Sequence, residues 1–146
     1  MSKGTDDTAK LLRECSAGIK MAITSIDEVM PYVRDGGLSD LLRNSKKNHQ
    51  ALEAEAHRQL TEADCEDKEP NCMAKGMSWL KINVKMAWEP DSGEVADLMT
   101  DGCGMGIKSL SRYVNQYPTA SQNAKDLAAR TVTEEDGLVM NLRKFL

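Results

Sequence analysis

The stretch NHQALEAEAHRQL, residues 48–60, has the apolar spacing of an amphipathic helix but carries a histidine on its apolar side. Leu52, Ala56 and Leu60 recur every four residues, which places them on one helical face. His49 extends the same row by one turn, at a position where a buried apolar side chain is expected, and Glu53 follows one turn later. The sequence therefore predicts a helix that carries an imidazole into the protein core.

The chain as a whole has the size and composition of one folded helical domain. It contains 146 residues, of which 40% are hydrophobic and 29% are charged, and we expect residues 1–146 to form a single domain. Aromatic residues make up only 4%, whereas methionine occurs nine times. A core of this composition favours helices, because strands prefer β-branched and aromatic side chains.

Pairs that contain glycine or proline divide the chain into five segments. These pairs are Gly36-Gly37, Pro70-Asn71, Pro90-Asp91 and Pro118-Thr119. Each segment repeats apolar residues every three or four positions, and none alternates like a strand. We predict an all-α fold, an antiparallel four-helix bundle. The first two segments form one hairpin, the last two form another, and a short third helix bridges them.

Several residues mark the expected helix ends in the first hairpin. Thr5 or Asp6 is a suitable cap for the first helix, Pro31 interrupts its apolar stripe, and Gly36-Gly37 is expected to end it. The second helix is then expected to run from about Ser39 to about Ala63.

In the second hairpin, Asp91 or Ser92 is the expected cap of one helix, and Thr119 or Ser121 that of the other. The segment DGCGMG, residues 101–106, places glycines inside a helix, where each costs about 1 kcal/mol relative to alanine. Spacing puts Gly102 and Gly106 on the inner face, and we expect a neighbouring helix to approach them closely.

The third segment has two apolar faces. One carries Met73, Met77, Leu80, Val84 and Trp88, and the other carries Trp79, Ile82 and Met86. A helix that is apolar on two sides must be covered on two sides. We therefore expect a homodimer whose interface includes Trp79, Ile82 and Met86.

Polar residues from two hairpins are predicted to meet at mid-bundle. Folding about the turn near Gly36 brings His49 level with Ile23, and folding about Pro118 brings Glu135 level with Gly102. The residues that then share this depth are His49, Glu53, Glu134 and Glu135. One imidazole with two or three carboxylates would suit iron, manganese or zinc. Two alternatives stay open: a buried histidine–glutamate hydrogen bond that fixes helix register, and an imidazole that acts as an acid or base.

Two long hairpins joined by a crossing segment resemble the ferritin-like superfamily, including its small bacterial members of unknown function. The resemblance implies a bundle with a metal site at mid-height, built from two glutamates and two Glu-x-x-His motifs. This sequence departs from that signature, because Lys46 and Ala54 lie three residues before His49 and His57, and Gly137 lies three after Glu134. The expected cofactor is accordingly none or a single transition metal ion.

Other classes of function find little support in the sequence. A net charge of −4 argues against nucleic acid as a partner, and no apolar run approaches the roughly 20 residues that cross a bilayer. The amino-terminal MSKGTDDTAK has no apolar signal core, which predicts a cytoplasmic protein.

The four cysteines are expected to be free thiols. A zinc site of Cys65, Cys72 and His57 lacks a fourth ligand, and Cys103 as a nucleophile would need a nearby base. The first functional hypothesis is therefore a non-enzymatic bundle that acts through self-assembly or partner binding. The alternative is a metal-binding protein with a reduced ferritin-like site.

Overall fold

A computed structural model describes residues 3–65 and 91–146. These ranges contain four long helices, α1 (Lys3–Val29), α2 (Gly36–Glu62), α3 (Ser92–Gln116) and α4 (Gln122–Leu142), with short 3₁₀ turns at Met30–Tyr32 and Arg143–Phe145. The prediction of an all-helical chain with four packed helices is confirmed for this part of the protein. The predicted bridging helix falls on residues 66–90, outside the described ranges.

The turn between α1 and α2 differs from the sequence prediction. α1 ends at Val29, immediately before the turn that contains Pro31, as the proline predicts. Gly36 and Gly37 do not end α1; they are the first residues of α2. The reason is Asp35, whose carboxylate accepts a hydrogen bond from the Leu38 amide at 3.0 Å and so caps α2 three residues earlier than expected.

The caps of the second hairpin follow the sequence closely. The Asp91 carboxylate accepts a hydrogen bond from the Glu94 amide at 2.9 Å, and α3 begins at the next residue, Ser92. The Ser121 hydroxyl accepts one from the Ala124 amide at 3.2 Å, so Ser121 rather than Thr119 caps α4.

The core consists of two hydrophobic clusters. The order in which each helix contributes residues to them shows the direction of that helix. The first cluster combines the first half of α1 and the second half of α2 with Leu110 of α3 and the start of α4. The second combines the other halves: Ile26 and Val29, Leu38 and Leu42, Val95 to Cys103, and Leu138 and Leu142. α1 is therefore antiparallel to α2, and α3 to α4.

The two hairpins pack so that α2 lies against α4 and α1 against α3. α2 runs from the second cluster towards the first, and α3 runs in the same direction. The end of α2 and the start of α3 consequently lie at opposite ends of the bundle. None of the helices in residues 3–65 and 91–146 is both long and apolar enough to cross a membrane.

The start of α1 is fastened to the turn between α3 and α4. The Asp7 carboxylate accepts hydrogen bonds from the Thr119 hydroxyl at 2.5 Å and the Thr119 amide at 3.2 Å. The Thr8 hydroxyl accepts another from the Ser121 amide at 2.7 Å. α1 is already helical at Lys3, so Thr5 and Asp6 are not its caps. The polar residues at this end instead bind the opposite hairpin.

Replacing Asp7 tests this fastening. Asp7→Ala removes the carboxylate oxygen that accepts both hydrogen bonds, and it should lower the melting temperature at pH 7 more than Asp6→Ala does. Asp6 is the matched control, because its side chain is half exposed and forms a surface ion pair with Lys10. Thermal unfolding followed by circular dichroism measures both variants.

The effect of Asp7→Ala should depend on pH in one direction. The hydrogen bond from the Thr119 hydroxyl lowers the pKa of Asp7 below its usual 3.8, although burial opposes it. The stability that Asp7 contributes is therefore present above about pH 4 and is lost as the pH falls through the lowered pKa. If the difference in melting temperature between wild type and Asp7→Ala grew as the pH fell below about 4, this account would be wrong.

Candidate functional site: a buried polar layer

A layer of four buried polar residues separates the two hydrophobic clusters. On α2, Ser45 and His49 lie between Leu42 of the second cluster and Leu52 of the first. On α4, Thr131 and Glu135 occupy the corresponding place. All four side chains have hydrogen-bond partners, as buried polar groups require.

His49 is the centre of this layer. It has no solvent-exposed surface, and its ring contacts both its own helix and α4. Nδ1 lies 2.8 Å from the carbonyl oxygen of Ser45 and 3.3 Å from the Ser45 hydroxyl, and Nε2 lies 3.2 Å from Oε1 of Glu135. The prediction that His49 and Glu135 share a depth in the bundle therefore agrees with the structure.

The surroundings of His49 favour its protonated form. Burial by itself would lower the pKa of His49, because it removes water from the imidazolium. The hydrogen bond and negative charge of Glu135 act against burial, with smaller contributions from the Ser45 carbonyl and Glu134. The net effect raises the pKa of His49 above its ordinary value.

α3 completes the layer with a small residue and a thiol. Cys103 is buried, and burial, followed by the nearby negative charge of Glu135, raises the pKa of its thiol. A methyl group placed on Gly106 would lie 3.7 Å from Oε1 of Glu135, an ordinary contact distance. Glu135 therefore lies beside the turn of α3 from Cys103 to Gly106, which directly follows the predicted Gly102.

Gly102 corrects the sequence prediction for α3. It is exposed, and a methyl group built on it would meet no atom within 4 Å, so no helix of the described chain approaches it closely. The buried row of α3 is Val95, Met99, Cys103 and Leu110. At 100° per residue, Gly102 points well away from a row that contains Cys103.

The other predicted ligands lie around the layer. Glu134 is half-buried and accepts hydrogen bonds from the Asn48 amide at 3.2 Å to each carboxylate oxygen. Glu53 is half-buried one turn after His49, and no hydrogen bond joins the two in the described chain. Within residues 3–65 and 91–146, no group of three or more histidine, cysteine, aspartate or glutamate side chains is arranged to hold a metal ion.

Several predicted residues stand apart from this layer. His57 is exposed, and Cys65 is half-buried near the end of α2. Cys72 and the predicted interface residues Trp79, Ile82 and Met86 lie outside the described residues.

Ser45 and Cys103 belong to the layer but are not among the site residues that the sequence predicts. Ser45 stands in the apolar row of α2, four residues before His49, and that spacing alone places a helical carbonyl and hydroxyl beside the ring. Cys103 had no comparable signal, because its role depends on the packing of α3 against α4. Comparisons with protein-family models, curated proteins and solved structures found no match for this chain.

Removing one member of the His49–Glu135 pair should destabilise the fold more than replacing both members with apolar side chains. Glu135→Ala leaves His49 buried without its partner, and we expect a loss of about 3–5 kcal/mol in unfolding free energy. The double variant His49→Leu, Glu135→Met replaces both groups with apolar side chains of similar size and should recover most of that loss. Urea unfolding at pH 7 measures both.

Glu134→Ala is the matched control for the adjacent position. The carboxylate of Glu134 is half-buried and accepts its hydrogen bonds from the exposed side chain of Asn48. The loss of unfolding free energy in Glu134→Ala should therefore stay below about 1 kcal/mol. A double variant as unstable as Glu135→Ala would show that the layer does not act as a polar pair.

Proposed function

We propose that the protein is a non-enzymatic helical bundle that acts through self-assembly or partner binding. What supports the first part is the enclosure of His49, Glu135 and Cys15. His49 is fully buried, and the side chain of Glu135 is only 7% exposed, so a substrate has no access to either group. Burial also raises the pKa of the Cys15 thiol to about 12, which makes it a poor nucleophile.

The exposed surface of α3 supports the second part. Gly102 and Gly104 are exposed in the middle of a helix, and a methyl group on either would meet no atom within 4 Å. Met105 beside them is 64% exposed, the largest exposure among the large hydrophobic side chains of the described chain. Packing within the described chain does not account for glycines that weaken α3, whereas a partner that approaches the helix backbone would.

The proposed assembly is a homodimer that uses Trp79, Ile82 and Met86 as the sequence predicts. Sedimentation of the purified protein at low micromolar concentration should give a dimer, and Trp79→Glu should give a monomer because it buries a charge in the interface. A wild-type monomer at this concentration would reject self-assembly.

Alanine substitution tests the α3 surface. Gly102→Ala with Gly104→Ala should stabilise the isolated chain by about 1–2 kcal/mol, because alanine is the better helix former. If this surface binds a partner copy, the same variant should weaken the dimer. Gly18→Ala in α1 is the control, since Gly18 is similarly free of contacts within the chain and should change stability alone.

We also retain the ferritin-like arrangement as part of the proposal. The end of α2 and the start of α3 lie at opposite ends of the bundle, and one long connection of this kind is typical of ferritin-like folds. The absence of a Glu-x-x-His motif argues that any relationship concerns the architecture rather than oxidase or iron-storage chemistry.

A metal-binding role is the second candidate, and one observation favours it. The imidazole of His49 lies 3.2 Å from the carboxylate of Glu135, and the negative charge of Glu135 also acts on the buried Cys103 thiol of a third helix, although these side chains do not converge as a ligand set in the described chain. These are the groups that bind zinc and iron. Elemental analysis of protein purified without chelator should find close to one equivalent if this role holds. Less than about a tenth of an equivalent, with no thermal shift on adding iron or manganese, would reject it.

A further inference from the structure

We infer that the outward face of α3 pairs with the same face of a second copy of this chain. The two helices are antiparallel, and a two-fold axis passes between Gly104 and Met105, which we call the central pair. The inference rests on the proposed self-assembly, and it names the part of the interface that α3 provides. It follows from the order of charges along this helix.

The outward face of α3 carries acids on one side of the central pair and bases on the other. At 100° per residue, this face lies opposite the buried row of α3. Its acids and bases are Asp97, Asp101, Lys108 and Arg112, and all four are exposed, as is the central pair. In the described chain, this face of α3 therefore remains open to a partner.

These charges are symmetric about the central pair. Asp101 and Lys108 each lie three residues from it, and Asp97 and Arg112 each lie seven residues from it. Reversing the direction of the helix therefore exchanges every acid for a base. A second copy laid antiparallel on this face places Asp101 opposite the partner's Lys108, and Asp97 opposite the partner's Arg112. The surface is thus complementary to itself, as a two-fold interface requires.

Within one chain, the same charges are unfavourably spaced. Asp97 and Asp101 are four residues apart on one helical face, where like charges repel. Lys108 and Arg112 have the same spacing. No ion pair joins any of these four side chains to an opposite charge among the described residues. All four also lie inside the first and last turns of α3, beyond which the helix dipole gives little stabilisation.

The central pair allows the two helices to approach closely. In the antiparallel arrangement, Met105 of each chain lies opposite Gly104 of the other. Gly104 has no side chain, and a methyl group built on it would meet no atom within 4 Å in the described chain. The space above it can receive the partner's Met105, whose flexible side chain adapts to such a gap. Met105 is 64% exposed in the single chain, so this contact would remove apolar surface from water twice in each dimer.

Charges on the exposed side of α2 do not offer the same opportunity. Arg58 pairs with Glu55 at 2.6 Å and with Glu62 at 2.5 Å, and Lys46 pairs with Asp27 of α1 at 2.6 Å. These groups already have opposite charges within the chain. The four charges of α3 differ, because the antiparallel second copy supplies the opposite charge that each of them lacks.

Charge reversal tests the pairing, because the residues concerned are exposed. Asp101→Lys places lysine opposite lysine at both symmetry-related contacts, and Lys108→Asp places aspartate opposite aspartate. Each variant should weaken the dimer by about tenfold or more, measured by sedimentation across a concentration series. Each also converts a like-charged pair within α3 into an opposite pair, so circular dichroism should show no loss of helix.

Mixing the two variants separates this pairing from other causes of dissociation. When Asp101→Lys and Lys108→Asp chains are combined, every facing pair is again opposite in charge. They should therefore form a mixed dimer with about the wild-type affinity. Asp136→Lys is the matched control, because it makes the same charge change at an exposed position of α4 and should leave the wild-type dimer unchanged.

The possible failures are distinguishable. A wild-type dimer that neither Asp101→Lys nor Lys108→Asp weakens would overturn the α3 pairing and leave self-assembly standing. Variants that dissociate alone but do not combine when mixed would also overturn the pairing. A wild-type monomer would reject self-assembly and the α3 pairing together.

Discussion

The enclosure of one imidazole between two apolar clusters constrains the rest of the bundle. His49 has no contact with water, so both ring nitrogens need protein partners. One partner is available on the same helix, one turn earlier, and depends only on helical geometry. The other must come from another helix, and only one relative height of α2 and α4 brings Glu135 to within 3.2 Å of Nε2. A one-turn slip between these helices would leave both the imidazole and the carboxylate buried without each other.

A second polar pair, next to the first, requires the same relative height of α2 and α4. Asn48 and His49 are consecutive on α2, and their partners Glu134 and Glu135 are consecutive on α4. Apolar side chains alone specify such a register weakly, because many arrangements bury a similar area. Polar pairs discriminate between registers, since each wrong register leaves a group unsatisfied. The layer thus accounts for how a core with few aromatic residues adopts one arrangement.

Much of this arrangement could be predicted from local sequence. The helices, the caps Asp91 and Ser121, and the depth of His49 and Glu135 follow from spacing and capping chemistry. The prediction was wrong at Gly36 and Gly37, because Asp35 is a stronger local signal for a helix start than paired glycines are for a helix end. It was also wrong at Gly102. The rotation of α3 depends on which neighbours it packs against, and an apolar row interrupted by glycines leaves that rotation ambiguous. Cys103 and the contacts of Asp7 could not be predicted, since they join helices that are distant in the chain.

The fastening of α1 to the α3–α4 turn has a consequence for the order of events during synthesis. Asp7 and Thr119 are 112 residues apart in the chain. The first hairpin can form its internal contacts as soon as residues 3–62 are available, but the start of α1 finds its partners only after Thr119 and Ser121 have been made. Closure of so long a loop is entropically costly and depends on contacts already made elsewhere. The residues at the start of α1 are therefore synthesised well before the residues that they bind, and they reach their native contacts late.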